Sequence, residues 1–132
     1  MVDDATAFLR AAMPLCATYG VRAVTLEPSS WRSTWAPDRL TSGGILHGGA
    51  VMALADSAGA YCAFANLPEG ATATATIESK TNRLRAVRSG TIRATSRVLH
   101  AGGTTIVVET EMRDEQDRLV AKTTRTQAVL RK

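Results

Sequence analysis

The chain has 132 residues, the size of a single domain, with a formal net charge of +4 and only 5% aromatic residues. So few aromatics leave no stacking platform for nucleic acid, and the basic residues are spread along the chain instead of forming a tail. No metal-ligand spacing occurs, and Cys16 and Cys62 both lie in apolar stretches expected of buried, reduced thiols.

The N-terminus, MVDDATAF, is acidic where a secretory leader is basic and then apolar, so a cytoplasmic protein is expected. Residues 6–19 are expected to form a short amphipathic helix, with Phe8, Leu9, Ala12, Leu15, Cys16 and Tyr19 on its apolar face. Pro14 should break or kink it, and Gly20 should end it. Strands are expected at 21–26 and 30–35, followed by a loop over 37–44.

Residues 50–65 are small or apolar except Asp56, with Ala, Val, Met and Leu on every face. That pattern predicts a long helix buried all round. It is too short, and too rich in small residues, to cross a membrane. Before it stands His47-Gly48-Gly49, a glycine turn whose free N–H groups at a helix N-terminus suit a developing negative charge. A carboxylate buried in such a helix must be paired, neutralised or used.

From residue 71 the pattern is strand. Alternating stretches cover 71–87, 91–99, 105–112 and 119–130, with turns at Ser89-Gly90, at Ala101-Gly102-Gly103, where His100 adjoins the turn, and over 114–118. No linker or repeat is seen, so residues 1–132 read as one domain. The class is α+β, with one long buried helix against an antiparallel sheet.

At Gly44-Ile45-Leu46-His47-Gly48-Gly49, with Asp56 nine residues after the histidine, the chain resembles the hotdog-fold acyl-CoA thioesterases of the phenylacetate-pathway (PaaI-like) type. The resemblance continues through Thr76, Asn82-Arg83-Leu84-Arg85 and the last three strands. It implies a sheet wrapped around the helix, subunits paired edge to edge, and a homodimer or a homotetramer made as a dimer of dimers. It implies that Asp56 is general base or nucleophile, that the Gly48 or Gly49 N–H holds the oxyanion, and that Thr76 helps to place a water. Two positions depart from the pattern: Thr41 stands where many members have Asn, and Arg39 where a His is common.

Gly48 and Asp56 are eight residues apart, about 12 Å along a helix. One thioester carbonyl cannot touch both, so either they serve different purposes or each site combines two chains. His47 either fixes the turn, the favoured role, or takes part in chemistry. Asp56 has a structural alternative, and Thr76 could be ordinary strand filler. Arg83, Arg85 and Arg88 are the candidates for coenzyme A phosphates, with Gly49, Thr41 and Asn82 as further substrate contacts.

The expected activity is hydrolysis of an aryl- or medium-chain acyl-CoA without a cofactor. The alternatives are a non-catalytic acyl-CoA-binding protein and a hydratase on the same fold. Neither nucleic acid nor membrane is an expected partner.

Overall fold

The alternating stretches after residue 71 are strands in the computed structural model, which describes residues 1–132. In chain order the elements are α1 (Val2–Ala12), α2 (Leu15–Thr18), β1 (Arg22–Thr25), β2 (Ser29–Thr34), α3 (Gly48–Phe64), β3 (Ala73–Arg83), β4 (Thr91–Ala101), β5 (Thr105–Arg113) and β6 (Leu119–Leu130). Two single 3₁₀ turns, Pro37–Arg39 and Ser42–Gly44, lead into α3. The six strands form one antiparallel sheet in the order β1-β2-β4-β5-β6-β3. α3 packs across β2, β3, β4, β5 and β6. No helix is long and apolar enough to cross a membrane.

The expected N-terminal helix is two helices. α1 begins before residue 6, and the chain turns at Met13-Pro14 before α2, because proline cannot donate within a helix. Leu9 and Cys16 are buried, whereas Phe8 and Leu15 of the expected apolar face are exposed. β3 ends at Arg83, where the Leu84 and Arg85 N–H groups both turn to the Val120 carbonyl. His100 belongs to β4, opposite Val107.

A second correction concerns α3. It is not buried all round: Ala50, Val51, Leu54, Ala55, Ala58, Cys62 and Ala63 face the sheet, while Met52, Asp56 and Phe64 are exposed. A helix of uniformly small apolar residues has no sidedness to read. One sheet covers one face and leaves the other open.

The core divides in two. Trp31, Leu54, Ala55, Ala58, Ile92, Ala94, Met112 and Ala121 belong to the larger cluster, and Cys62, Ala63, Ile106 and Val108 form the smaller. Trp31 stacks at a tilt on Tyr61, with ring centroids 5.6 Å apart. Along β4 and β5 the polar pair Ser96 and Thr110, 2.8 Å apart, interrupts the apolar rows. β6 adds buried Thr123, Arg125 and Gln127. Three polar side chains on the core face of one strand are unusual, and they lead to Asp56.

Candidate active site

α3 starts at a cap formed by its own sequence. His47 is the N-cap residue in extended conformation, and its Nδ1 accepts the Gly49 N–H at 2.8 Å. It thus does the work that Ser, Asp or Asn does at other helices. The bond fixes the turn and occupies the Gly49 donor. The Gly48 N–H, the first of the helix, has no acceptor within the chain and is the free donor at this end.

Arg83, the last residue of β3, lays its guanidinium against Gly48, so closely that a Cβ on Gly48 would collide with Nη1. A guanidinium and the positive end of a helix together make this spot attractive to anions. Ile45, Arg83, Leu84, Arg85 and Ala86 line an open recess of about 320 Å³ beside it. Arg88 reaches the preceding loop, where Nη1 donates to the Gly43 carbonyl at 3.3 Å. Thr41 is exposed in the same loop, its N–H donating to the Ile45 carbonyl at 2.8 Å. Asn82 is exposed on β3 opposite Lys122. Arg39 is folded away, with Nη1 on the Thr34 carbonyl at 2.8 Å.

Asp56 stands two turns further along, about 12 Å from Gly48 by helix rise. It is not the lone buried acid expected from sequence: its side chain is 61% exposed and forms an ion pair with Arg125, Oδ1 to Nη2 at 2.8 Å. Arg125 rises from β6 with its side chain fully buried. Its Nη1 donates to the main-chain carbonyl of Asp56, and its Nη2 donates to Thr76 Oγ1 at 2.5 Å. Gln127 Nε2 donates to the same Thr76 oxygen at 3.0 Å. Burial pushes the Arg125 guanidinium below its ordinary value, while the Asp56 charge and its side-chain hydrogen bond work the other way.

Gly59 makes the arrangement fit. A Cβ there would stand 2.6 Å from Arg125 Cδ, so the arginine crosses under the helix only because the side chain is absent.

Two clusters therefore exist in one chain. His47, Gly48, Gly49, Arg83 and Arg85 gather at the start of α3, with Thr41 on the adjoining loop and Arg88 reaching that loop from the β3–β4 connection. Asp56 and Thr76 meet in the middle, with Arg125 and Gln127. Sequence reasoning missed the last two. The signal was present: strand alternation puts Arg125 on the same face as Thr123 and Gln127, and a glycine follows Asp56 by three residues.

A long helix laid on a six-stranded antiparallel sheet, with a glycine pair opening its N-terminus and a helix acid, is the hotdog arrangement of thioester hydrolases. The chain belongs to the thioesterase superfamily, whose model matches residues 43–121, from the loop before α3 to β6. It is 38% identical over 89 residues to ComA2 of Bacillus subtilis, provisionally named an esterase, covering 67% of this chain and 71% of that one. It is 34% identical over 87 residues to the 1,4-dihydroxy-2-naphthoyl-CoA hydrolase of Escherichia coli, covering 66% of this chain. The match spans 63% of that hydrolase, less than two thirds of its length.

Among solved structures, the thioesterase HI1161 of Haemophilus influenzae superposes with a TM-score of 0.88 at 22% identity, over 99% of this chain and 91% of that one. The Bacillus halodurans protein BH2602, solved with CoA, superposes at 0.79 and 24% identity, over 88% and 75%. At these identities the superpositions speak for the fold.

Proposed function

We propose that the chain is a cytoplasmic acyl-CoA thioesterase that cleaves an aryl- or medium-chain acyl-CoA to the free acid and coenzyme A, at sites shared between two copies. The observation that carries this reading is the placement of two half-sites on one helix. A free N–H donor sits at the start of α3, and an exposed carboxylate about 12 Å further on. A two-fold pair brings the donor of one copy to the acid of the other.

The sheet offers the means. β3 is an edge strand, paired with β6 on one side only. Ile77 on it is 62% exposed and Phe64 on α3 is 55% exposed. Long free strand edges are protected in native proteins, and a second β3 would protect this one. Pairing β3 to β3 continues the sheet and brings the exposed faces of α3 together. A dimer of such dimers would extend the same assembly.

In this reading the thioester oxygen takes the Gly48 N–H, and the charge that develops there is met by the helix terminus. Asp56 of the other copy takes a proton from the attacking water and passes it to the leaving sulfur, or attacks the carbonyl itself to give an acyl anhydride that water then cleaves to the free acid. The carbon–sulfur bond breaks and coenzyme A leaves as the thiol. His47 holds the turn, Gly49 completes the cap, and Thr76 braces the acid through Arg125. Arg83, Arg85 and Arg88 attract the phosphates, while Thr41 and Asn82 stand at the rim.

The test is release of free thiol from a panel of aryl- and alkyl-CoA thioesters. Asp56→Asn should lower the rate by about two to four orders of magnitude. Compared with Gly48→Ala, whose Cβ displaces the Arg83 guanidinium but keeps the N–H, Gly48→Pro removes the donor as well, since proline is accepted at the first helical position and His47 is already extended. It should cost about two to three orders of magnitude. Mixing Asp56→Asn with Gly48→Pro should restore about a quarter of wild-type activity, because half the random pairs are mixed and each has one intact site. Saturable acyl-CoA binding without turnover on the whole panel would replace this reading with a binding protein. Thr41 and Arg39 would then be the positions to restore.

A further inference from the structure

We infer that Arg125 is the positioning residue for the Asp56 carboxylate: it holds Oδ1 and leaves Oδ2 as the oxygen presented to substrate. The inference rests on the hydrolase reading above for its consequence, though not for its geometry.

Three contacts of one guanidinium converge here. Nη2 is 2.8 Å from Asp56 Oδ1, Nη1 bonds the main-chain carbonyl of the same residue, and Nη2 also bonds Thr76 Oγ1 at 2.5 Å. Arg125 therefore grips Asp56 by side chain and backbone together, which sets the direction of the carboxylate relative to the helix. The grip is itself braced, since Gln127 Nε2 holds the Thr76 oxygen at 3.0 Å. Nothing in the chain engages Asp56 Oδ2.

A tie between α3 and the sheet does not require a cation. Thr123 and Gln127 are buried beside Arg125 on the same strand and are neutral. Burying a guanidinium is costly unless its charge is met, so a permanent cation is matched here to a carboxylate. Arg125 Nε stays without a partner, so the polar contacts of the side chain are those its two terminal nitrogens make with Asp56 and Thr76. Gly59 completes the case: a buried helix glycine leaves the channel through which the arginine reaches Asp56. Arg125 is fully buried and does not touch substrate, so its effect passes through Asp56.

The experiment reads Asp56 directly. Side-chain coupling constants in the NMR spectrum report its χ1 rotamers in wild type, Arg125→Gln and Arg125→Lys, with Asp56→Asn for assignment. One rotamer is expected in wild type, averaged rotamers in Arg125→Gln, and recovery towards one in Arg125→Lys. With substrate, Arg125→Gln should lower kcat by about 10- to 100-fold, since small misplacements at a reacting group are costly. KM should stay within about threefold, because only the reacting step has changed.

A folded Arg125→Gln protein with Asp56 in one rotamer and wild-type kcat overturns the inference, because a merely structural arginine would show that result. Should Arg125→Gln not fold, Thr76→Val removes the brace at 2.5 Å and should also loosen Asp56; an unchanged rotamer there overturns it equally. The rotamer measurement needs no turnover. A wild-type protein inert towards every thioester therefore sinks the hydrolase reading alone.

Discussion

At Gly59 one absent methyl group decides whether a charge can be buried. Alanine is the better helix former by about 1 kcal/mol. Its Cβ would stand 2.6 Å from Arg125 Cδ and 3.4 Å from Thr110 Oγ1, and overpacking of this kind costs about 1–3 kcal/mol. Gly59→Ala should therefore lower stability by up to about 2 kcal/mol net in urea titration, against the helix-propensity trend. At the start of the helix the side chain matters instead: His47→Ala removes the acceptor of the Gly49 N–H and should cost about 1 kcal/mol, with Asn restoring most of it.

The two cysteines give a third check on single residues. Both are buried and unpaired, and burial pushes the Cys62 thiol up. A thiol reagent should find almost nothing in the native protein and two thiols per chain in denaturant, so the coenzyme A assay has little background.

At the scale of strands, an unfavourable row of charge crosses the outer face of the sheet. Arg22 faces Arg32, Arg32 faces Arg93, and Arg93 faces Arg113 on neighbouring strands. Arg22 has Asp3 at 3.6 Å and Arg113 has Glu111 at 2.9 Å, but Arg32 and Arg93 have no acidic partner. Like charges directly opposite repel, so Arg93→Glu should raise stability by about 0.5–1 kcal/mol in chemical denaturation, and less in high salt.

The β5–β6 hairpin shows the reverse case. Burial works to raise the Asp114 carboxyl, but hydrogen bonds from Arg118 and Gln116 and the Arg118 charge outweigh it, leaving the carboxyl below its usual range. A carboxyl lowered in the folded state stabilises fully above its unfolded value and loses that contribution as pH falls through the folded one. The stability gap between wild type and Asp114→Asn should therefore be widest near neutral pH and close below about pH 4.

At the scale of the whole molecule, what stands out is what one chain leaves unfinished. The exposed face of α3, the free β3 edge and the two proposed half-sites would all be completed by the second copy proposed above. Sedimentation should show an even number of chains. Ile77→Glu places a charge on the edge and should give folded single chains without thioesterase activity. A monomeric wild-type protein with full activity would remove the shared site and force both functions of α3 onto separate steps.

Much of this was legible in the chain. Strand alternation marked the sheet, because the period of two is local and survives without knowledge of the partner strand. Glycines at the start of the helix and an acid nine residues after His47 marked the two positions proposed above as half-sites, because helix rise converts their spacing into a distance. The sidedness of α3 was not legible, since its small apolar residues suit either face equally, and only packing on a single sheet face chose. Nor was the Asp56 partner, which lies 69 residues away on the last strand. Local pattern says which way Arg125 points. Only the sheet order, which puts β6 beside β3 and under Gly59, says what it meets.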